Sequence, residues 1–118
     1  HPLAMAAVVA ALDIYRREDL FKRAAEMAPV FEAAAHALKS AKHVVDVRNL
    51  GLVAGIELKS RDGAVGARVT EVFQKCFDQG LLVRYTGETL AVSPPVIISE
   101  AQIAQMFERI GSVLATVA

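Results

Sequence analysis

Arg84 is the residue whose type and setting in this sequence best fit a binding site. It lies in the stretch GLLVRYTGETLAVSPPVII, residues 80–98, beside the strand-forming residues Val83 and Tyr85. A guanidinium presents a planar fork of N–H donors that binds a carboxylate through two hydrogen bonds. The apolar neighbours predict that Arg84 is partly buried, where such a fork suits an anionic ligand. Glu88 is the nearest acid, and an Arg84–Glu88 ion pair would make the arginine structural, so residue types alone leave both interpretations open.

The histidines and glycines do not form a recognisable site. His1, His36 and His43 are scattered, with no cysteine or carboxylate at ligand spacing, so the sequence predicts no metal site. The glycines match neither of the two glycine-rich phosphate-binding motifs, and they are assigned to turns and close packing. Cys76 lies with Val69, Phe73 and Phe77 on an apolar helical stripe, which favours a buried, inert thiol over a nucleophile.

The charged residues on the predicted strands of 43–60 are not assigned a catalytic role. Glu57 alternates outward beside Lys59 and has no second acid paired with it, which favours a solvated residue over a catalytic acid. Asp46 and Arg48 share one strand face, and an exposed pair between them would contribute little to stability. The sequence therefore predicts no catalytic residue within the chain.

Length and composition limit the class of protein. The 118 residues are 54% hydrophobic, which is enough for one compact domain with a buried core. The 13 basic and 13 acidic residues are interleaved and give zero formal net charge, which argues against nucleic acid as a partner. A single cysteine fits a reducing compartment, and no signal peptide or membrane span is predicted, so a cytoplasmic location is expected.

The elements that would position Arg84 begin with an unusual first helix. It starts at Pro2, which suits a first helical turn, and it is built from Ala, Val and Leu with charges only near its end. A helix that is apolar all round expects burial on several sides. Because the chain also lacks an initiator methionine, we expect it to be part of a longer protein that supplies the missing surface.

A second helix and a hairpin are predicted next. Apolar residues recur at spacings of three and four over 19–39, and Pro29 inside this helix predicts a bend or a division into two helices. Residues 43–60 form two runs rich in β-branched residues that meet near 49–51, which predicts an antiparallel hairpin.

The second half of the chain repeats a helix and a hairpin. A helix is predicted over 67–79, strands over 81–85 and 89–92, and a last helix that begins with the capping box of Ser99 and Gln102. The order ααββαββα lacks the regular alternation of a doubly wound sheet. The predicted class is α+β, with about four strands in a small mixed or antiparallel sheet that helices cover on one face.

Three stretches together resemble a known family. They are HPLA at the start of an Ala-rich helix, VRNLGLVAGIEL over 47–58, and GLLVRYTGETLAVSPPVII over 80–98. In order and spacing they resemble the C-terminal small domain of a class III, fold type I, pyridoxal-phosphate-dependent aminotransferase, in the branch that acts on ω-amino acids or amines with pyruvate. The resemblance spans residues 1–118, with helix 1–16 packing on an absent large domain and 19–118 forming a compact unit.

The resemblance implies a specific role for Arg84. In this branch the matching arginine binds the substrate carboxylate and swings aside for an apolar substrate group. The pyridoxal phosphate, its Schiff-base lysine and its other ligands belong to the large domain that precedes His1, so the chain alone is expected to be inactive and to bind neither cofactor nor metal. The expected partners are that large domain, the second subunit of a homodimer, an amino donor whose identity is not encoded here, and a keto acid. The alternative from a different class is a free-standing, non-catalytic α+β module for protein interaction or small-molecule binding.

Overall fold

Four helices and one four-stranded sheet make up the computed structural model, which describes residues 1–118. In chain order the elements are α1 Pro2–Arg17, α2 Leu20–His36, a 3-10 helix Ala37–Ser40, β1 Val44–Leu50, β2 Val53–Leu58, α3 Ala67–Asp78, β3 Arg84–Thr86, β4 Thr89–Val92 and α4 Glu100–Thr116. The predicted order ααββαββα and the α+β class are confirmed.

The sheet is antiparallel throughout, with strand order β1-β2-β4-β3. Side chains alternate along β2: Ala54, Ile56 and Leu58 are buried, whereas Val53 is exposed. α2 packs on β1 and β2, α3 packs on β3 and β4, and α4 packs on both of these helices. One face of the sheet therefore joins the core, and the other face is open.

A single cluster of 22 buried residues forms the core, drawn from α2, α3, α4 and the inner face of the sheet. Phe31 of α2 meets Phe107 of α4 edge to face, with ring centroids 5.1 Å apart. Ile56 and Leu90 supply the sheet side of the same cluster and are fully buried. Because burial of each such side chain contributes about 1.5–3 kcal/mol, this cluster holds the sheet in register.

Of the two predicted effects of Pro29, a bend or a division into two helices, the division is wrong, because α2 continues through Pro29 as one helix. Proline removes one backbone hydrogen bond, but Phe31 and Ala35, in the following turns, are both fully buried and hold the helix against the core. α2 also ends at His36 rather than near Lys39, because the chain tightens there into the 3-10 helix.

Gly80 sends the chain from α3 toward β3. It has a φ of +74°, its N–H donates to the Phe77 carbonyl at 2.9 Å, and the N–H of Leu81 donates to the Cys76 carbonyl at 2.9 Å. These two bonds form a Schellman motif, which confirms the predicted glycine cap. Phe77 itself is 56% exposed, so its predicted place on the buried stripe is wrong. The helical period instead buries Val69, Val72 and Cys76.

The capping box that begins α4 is confirmed. Ser99 Oγ accepts from the Gln102 N–H at 3.3 Å, and Gln102 Oε1 accepts from the Ser99 N–H at 2.9 Å. The predicted apolar face of this helix is buried along its length, from Ile103 through Leu114 to Val117 just beyond its end.

α1 contributes nothing to the core, since none of its residues is buried. Its exposed apolar side chains include Leu3, Met5, Val8, Val9, Leu12 and Ile14. The one aromatic contact at its end is Tyr15 against Phe21 of α2, with ring centroids 5.4 Å apart. None of the helices combines the length and the apolar character that crossing a bilayer requires.

Candidate functional site

Arg84 is the first residue of the edge strand β3, and its side chain is exposed on the open face of the sheet. The prediction that it is partly buried is wrong. Its neighbour Val83 is buried and Leu90 on β4 is fully buried, but both side chains belong to the core cluster. Period-2 alternation thus explains why an arginine can stand in an apolar run and still reach solvent.

β3 is shorter than predicted, since residues 81–83 lie outside the sheet. β4 ends at Val92, and the next residues are Ser93, Pro94 and Pro95. Proline has no N–H to extend a ladder. The segment before Arg84 therefore has no strand to pair with, and Leu82 is left 76% exposed.

Arg84 has no hydrogen bond or ion pair within the chain, and Glu88 is bonded elsewhere. Glu88 Oε1 accepts from the Ser60 hydroxyl and from the backbone N–H of Gly66, each at 2.5 Å. The Ser60 hydrogen bond first, and then that from Gly66, hold the pKa of the Glu88 carboxyl below its ordinary value. The structural interpretation of Arg84 as the partner of Glu88 is therefore not supported by the geometry.

A second arginine shares the open face and supplies a contrast. Arg48, Gly55, Ala91 and Arg84 form one row across the four strands, because Arg48 pairs with Gly55, Gly55 with Ala91, and Ala91 with Arg84. Gly55 has no side chain and so leaves space for its neighbours in this row. An added Cβ there would lie 3.7 Å from the Arg48 side chain and 3.2 Å from Thr89 Cγ2.

Arg48 already forms ion pairs with two neighbouring carboxylates. Its Nη1 donates to Glu57 Oε2 at 2.9 Å and to Asp46 Oδ2 at 3.2 Å, and its Nη2 donates to Thr89 Oγ1 at 3.3 Å. These bonds, to Glu57 first, raise the Arg48 pKa above its ordinary value. The predicted Asp46–Arg48 pair is confirmed. Glu57 is the second acid that binds Arg48. The pairing of β1 with β2, and not spacing in the sequence, brings Glu57 within reach.

An apolar groove of about 320 Å³ adjoins Arg84. Arg84 is the only ionisable group among its lining residues, which are Leu81, Leu82, Val83, Arg84, Ala91, Val92, Ser93, Pro94, Pro95 and Met106. One cation beside apolar walls can bind the carboxylate of a small molecule and leave its carbon skeleton against the walls.

The other reactive side chains lie apart from this groove. His36 Nε2 is 2.8 Å from Asn49 Oδ1, and His43 Nε2 is 3.2 Å from the Val117 carbonyl oxygen. No three histidine, cysteine or acidic side chains lie together as metal ligands would. Cys76 is fully buried, as predicted, and burial raises the pKa of its thiol to about 11.

The groove lacks the groups that pyridoxal phosphate requires. A Schiff base needs a lysine, and no lysine lines this groove. Two lysines have polar partners away from the groove: Lys42 Nζ donates to the Val117 carbonyl at 2.7 Å, and Lys75 Nζ lies 3.0 Å from Glu71 Oε1. This groove therefore offers pyridoxal phosphate no lysine for a Schiff base.

Comparison with known proteins identifies the family. The family model described as Aminotransferase class-III matches residues 1–114. The chain belongs to the class-III aminotransferases. It is 56% identical over 117 residues to an omega-aminotransferase of Caulobacter vibrioides, a match that covers 99% of this chain and 27% of that protein. It is 40% identical over 114 residues to a beta-alanine–pyruvate aminotransferase of Pseudomonas aeruginosa, covering 97% of this chain and 25% of the relative.

Solved structures agree with this class-III aminotransferase assignment. A structure described as a transaminase with L-Ala superposes with a TM-score of 0.90 at 28% identity, covering 97% of this chain and 28% of that one. The omega transaminase of Pseudomonas jessenii in complex with PMP gives a TM-score of 0.89 at 27% identity, covering 97% and 26%. The chain thus spans about a quarter of the length of the curated relatives it matches.

The sequence does not identify one contact beside the candidate site. Glu88 was considered only as a partner of Arg84, although it binds the loop 60–66. A signal was present, since an acid in a two-residue turn is placed to cap neighbouring backbone N–H groups. The partner loop, however, is more than 20 residues away in sequence, so spacing could not identify it.

Proposed function

We propose that residues 1–118 are the C-terminal small domain of an aminotransferase that transfers an amino group from an ω-amino acid or amine to pyruvate or a similar keto acid. The family match supports the reaction class. The names of the relatives, an omega-aminotransferase and a beta-alanine–pyruvate aminotransferase, support the substrate class. The pyridoxal phosphate that this family implies is bound by the rest of the enzyme and supplies the chemistry that carries the amino group.

In this proposal Arg84 binds the substrate carboxylate. The observation that carries it is the contrast between two arginines in one row: Arg48 has acid partners within 3.2 Å, whereas Arg84 has none. The backbone of Arg84 is held in a strand, while its guanidinium has no internal partner and lies beside an apolar groove. Such a group is available to a carboxylate ligand. The same lack of partners lets the side chain swing aside when a substrate presents an apolar group, because no internal bond must break.

The rest of the enzyme supplies what the chain lacks. The exposed apolar side chains of α1 fit a helix, residues 1–16, that packs on a large domain and on the second subunit of a homodimer. Residues 19–118 then form the compact unit, since the core cluster begins at Phe31. A cytoplasmic enzyme is consistent with the balanced charge and the single, reduced cysteine.

Substitution of Arg84 in the full-length enzyme tests the proposal. Arg84→Ala should raise the KM for pyruvate by roughly tenfold or more, the cost of losing hydrogen bonds to a charged group. The half-reaction with an amine that has no carboxylate should change less than about twofold, because such a donor does not use the guanidinium. Steady-state and single-turnover kinetics of the two half-reactions measure both effects.

Arg48→Ala is the matched control, since it removes a guanidinium from the same face of the sheet. Arg48→Ala should leave the ratio of the rates of the two half-reactions unchanged. Equal losses in both half-reactions for Arg84→Ala, or a selective loss for Arg48→Ala, would contradict the proposed role.

A further inference from the structure

Glu88 ties the turn that follows Arg84 to a distant loop. The turn is short: Thr86 pairs with Thr89, leaving Gly87 and Glu88 as a two-residue connection, with Gly87 at a φ of +56°. A glycine with positive φ at the first position is typical of tight hairpin turns. From this turn the Glu88 carboxylate accepts hydrogen bonds from Ser60 Oγ and the Gly66 N–H.

The loop 60–66 that Glu88 holds is itself anchored to α3. Gly66 is the residue that precedes the first turn of α3. Arg68, only 7% exposed, donates to the carbonyl oxygens of Lys59 and Ser60. Glu71 of α3, which is only partly exposed, binds Arg61 of the same loop. The loop is therefore a fixed support rather than a free segment.

The strand that carries Arg84 has few other constraints. β3 is three residues long, lies at the edge of the sheet, and pairs only with β4. Tyr85 packs against Phe73 of α3 with ring centroids 5.3 Å apart, which restrains the strand on its inner side. On the side of the turn, the restraints are the Glu88 carboxylate and a backbone bond from the Leu58 N–H to the Glu88 carbonyl at 2.9 Å.

We propose that Glu88 is a positioning residue for substrate binding: its carboxylate fixes the β3–β4 turn on the loop 60–66 and so sets where the Arg84 guanidinium stands. This inference rests on the proposed role of Arg84. Displacement of a group that orients substrate is costly, because a misplacement of about 1 Å can lower a rate by roughly a hundredfold.

The charge of Glu88 matters as well as its shape. Its second oxygen, Oε2, is buried and has no hydrogen-bond partner, and the positive charge of Arg68 favours the ionised carboxyl. A glutamine has the same size, but its amide must either place an N–H₂ group in this unpartnered position or lose an acceptor for Ser60 and Gly66. Glu88→Gln should therefore loosen the turn without leaving a cavity.

Kinetics of the full-length enzyme test the inference. Glu88→Gln should raise the KM for pyruvate by roughly five- to tenfold, leave the half-reaction with an amine lacking a carboxylate within about twofold, and leave the pyruvate kcat little changed. Ser60→Ala, which removes only one of the two donors, should shift the same KM in the same direction by a smaller factor. If Glu88 merely stabilised the fold, its substitution would instead lower the rates of both half-reactions together.

Glu71→Gln is the matched control, because Glu71 anchors the same loop from α3 without touching the β3–β4 turn. Glu71→Gln should not change the rate of one half-reaction relative to the other. The double variant Arg84→Ala with Glu88→Gln should bind pyruvate no more weakly than Arg84→Ala alone, since the carboxylate acts through the guanidinium.

The outcomes separate this inference from the proposed function. If Arg84→Ala selectively impairs pyruvate use and Glu88→Gln does not, or if the two effects add fully, Glu88 has no positioning role and the proposed function stands. If Arg84→Ala shows no selective effect, the proposed function fails first.

Discussion

At the scale of single residues, burial decides which reactive groups are available. Cys76 is fully buried in α3 among core side chains, and its thiol has a pKa near 11 because the thiolate cannot be solvated there. Its raised pKa keeps the thiol protonated in the folded state at pH values where a free cysteine, with a pKa near 9.0, already ionises.

Alkylation of Cys76 should therefore be slow in the native enzyme throughout pH 7 to 9. Iodoacetamide labelling of the Cys76 peptide, followed by mass spectrometry, should be at least about tenfold slower in native than in urea-unfolded protein. Because the folded pKa lies above the unfolded one, the thiol stabilises the native state below about pH 9, and this contribution is lost as pH rises toward 11. Rapid native labelling at pH 8 would show that Cys76 is accessible.

Arg84 shows how much of a site residue could be predicted from sequence. Residue types predict the strand, the turn after it and the suitability of the guanidinium for a carboxylate ligand. The exposure of Arg84 did not, since an apolar run does not say which face of the sheet is covered. Nor did the fate of Glu88, whose partner Gly66 is distant in sequence. Only the packed structure brings that loop and turn together.

At the scale of elements, local signals at the ends of helices were the most reliable. The capping box of α4 and the glycine cap of α3 were both predicted and both formed. These motifs involve residues three to five apart, so a short stretch of sequence contains all of their partners. The length of β3 depended on a distant cause, namely the prolines after β4, and was predicted wrongly.

The Gly80 cap gives a prediction for the α3–β3 connection. Gly80→Ala should destabilise this segment by about 1 kcal/mol, because alanine is strained at positive φ. Crowding adds nothing, since an added Cβ would meet no atom closer than Arg109 Nη1 at 4.0 Å. Hydrogen exchange of residues 76–83 in the full-length enzyme should speed up roughly fivefold. Gln79→Ala, one residue earlier at φ −90°, serves as the control and should not change the exchange.

At the scale of the whole molecule, α1 separates this chain from an ordinary compact domain. The radius of gyration is 16.3 Å, compared with about 13.5 Å for a compact chain of this length. The longest principal extent is 49 Å, and the 16 residues of α1 include no buried residue. Six large apolar side chains of α1 are exposed, and proteins usually cover so much apolar surface with a partner.

Removal of α1 should therefore change solution behaviour. Residues 1–118 expressed alone should self-associate, whereas residues 19–118 should remain monomeric and keep their β-sheet, as judged by light scattering and circular dichroism. Replacing Val8 and Leu12 by aspartate in the longer chain should have the same effect as truncation, because both are exposed apolar positions on α1. A monodisperse 1–118 chain, or an unfolded 19–118 chain, would contradict the proposed division of the chain.

The strand order β1-β2-β4-β3 also implies an order of assembly. Each outer strand forms a hairpin with its neighbour in sequence, β1 with β2 and β3 with β4, and short hairpins close quickly. The β2–β4 pairing joins the two hairpins and must wait for the chain between them, including α3, to close as one long loop. Arg84 takes its place across from Arg48 only in that joining step. Mutations that delay the joining of the hairpins should therefore delay the formation of the Arg84 row during refolding, even where the finished structure is unaffected.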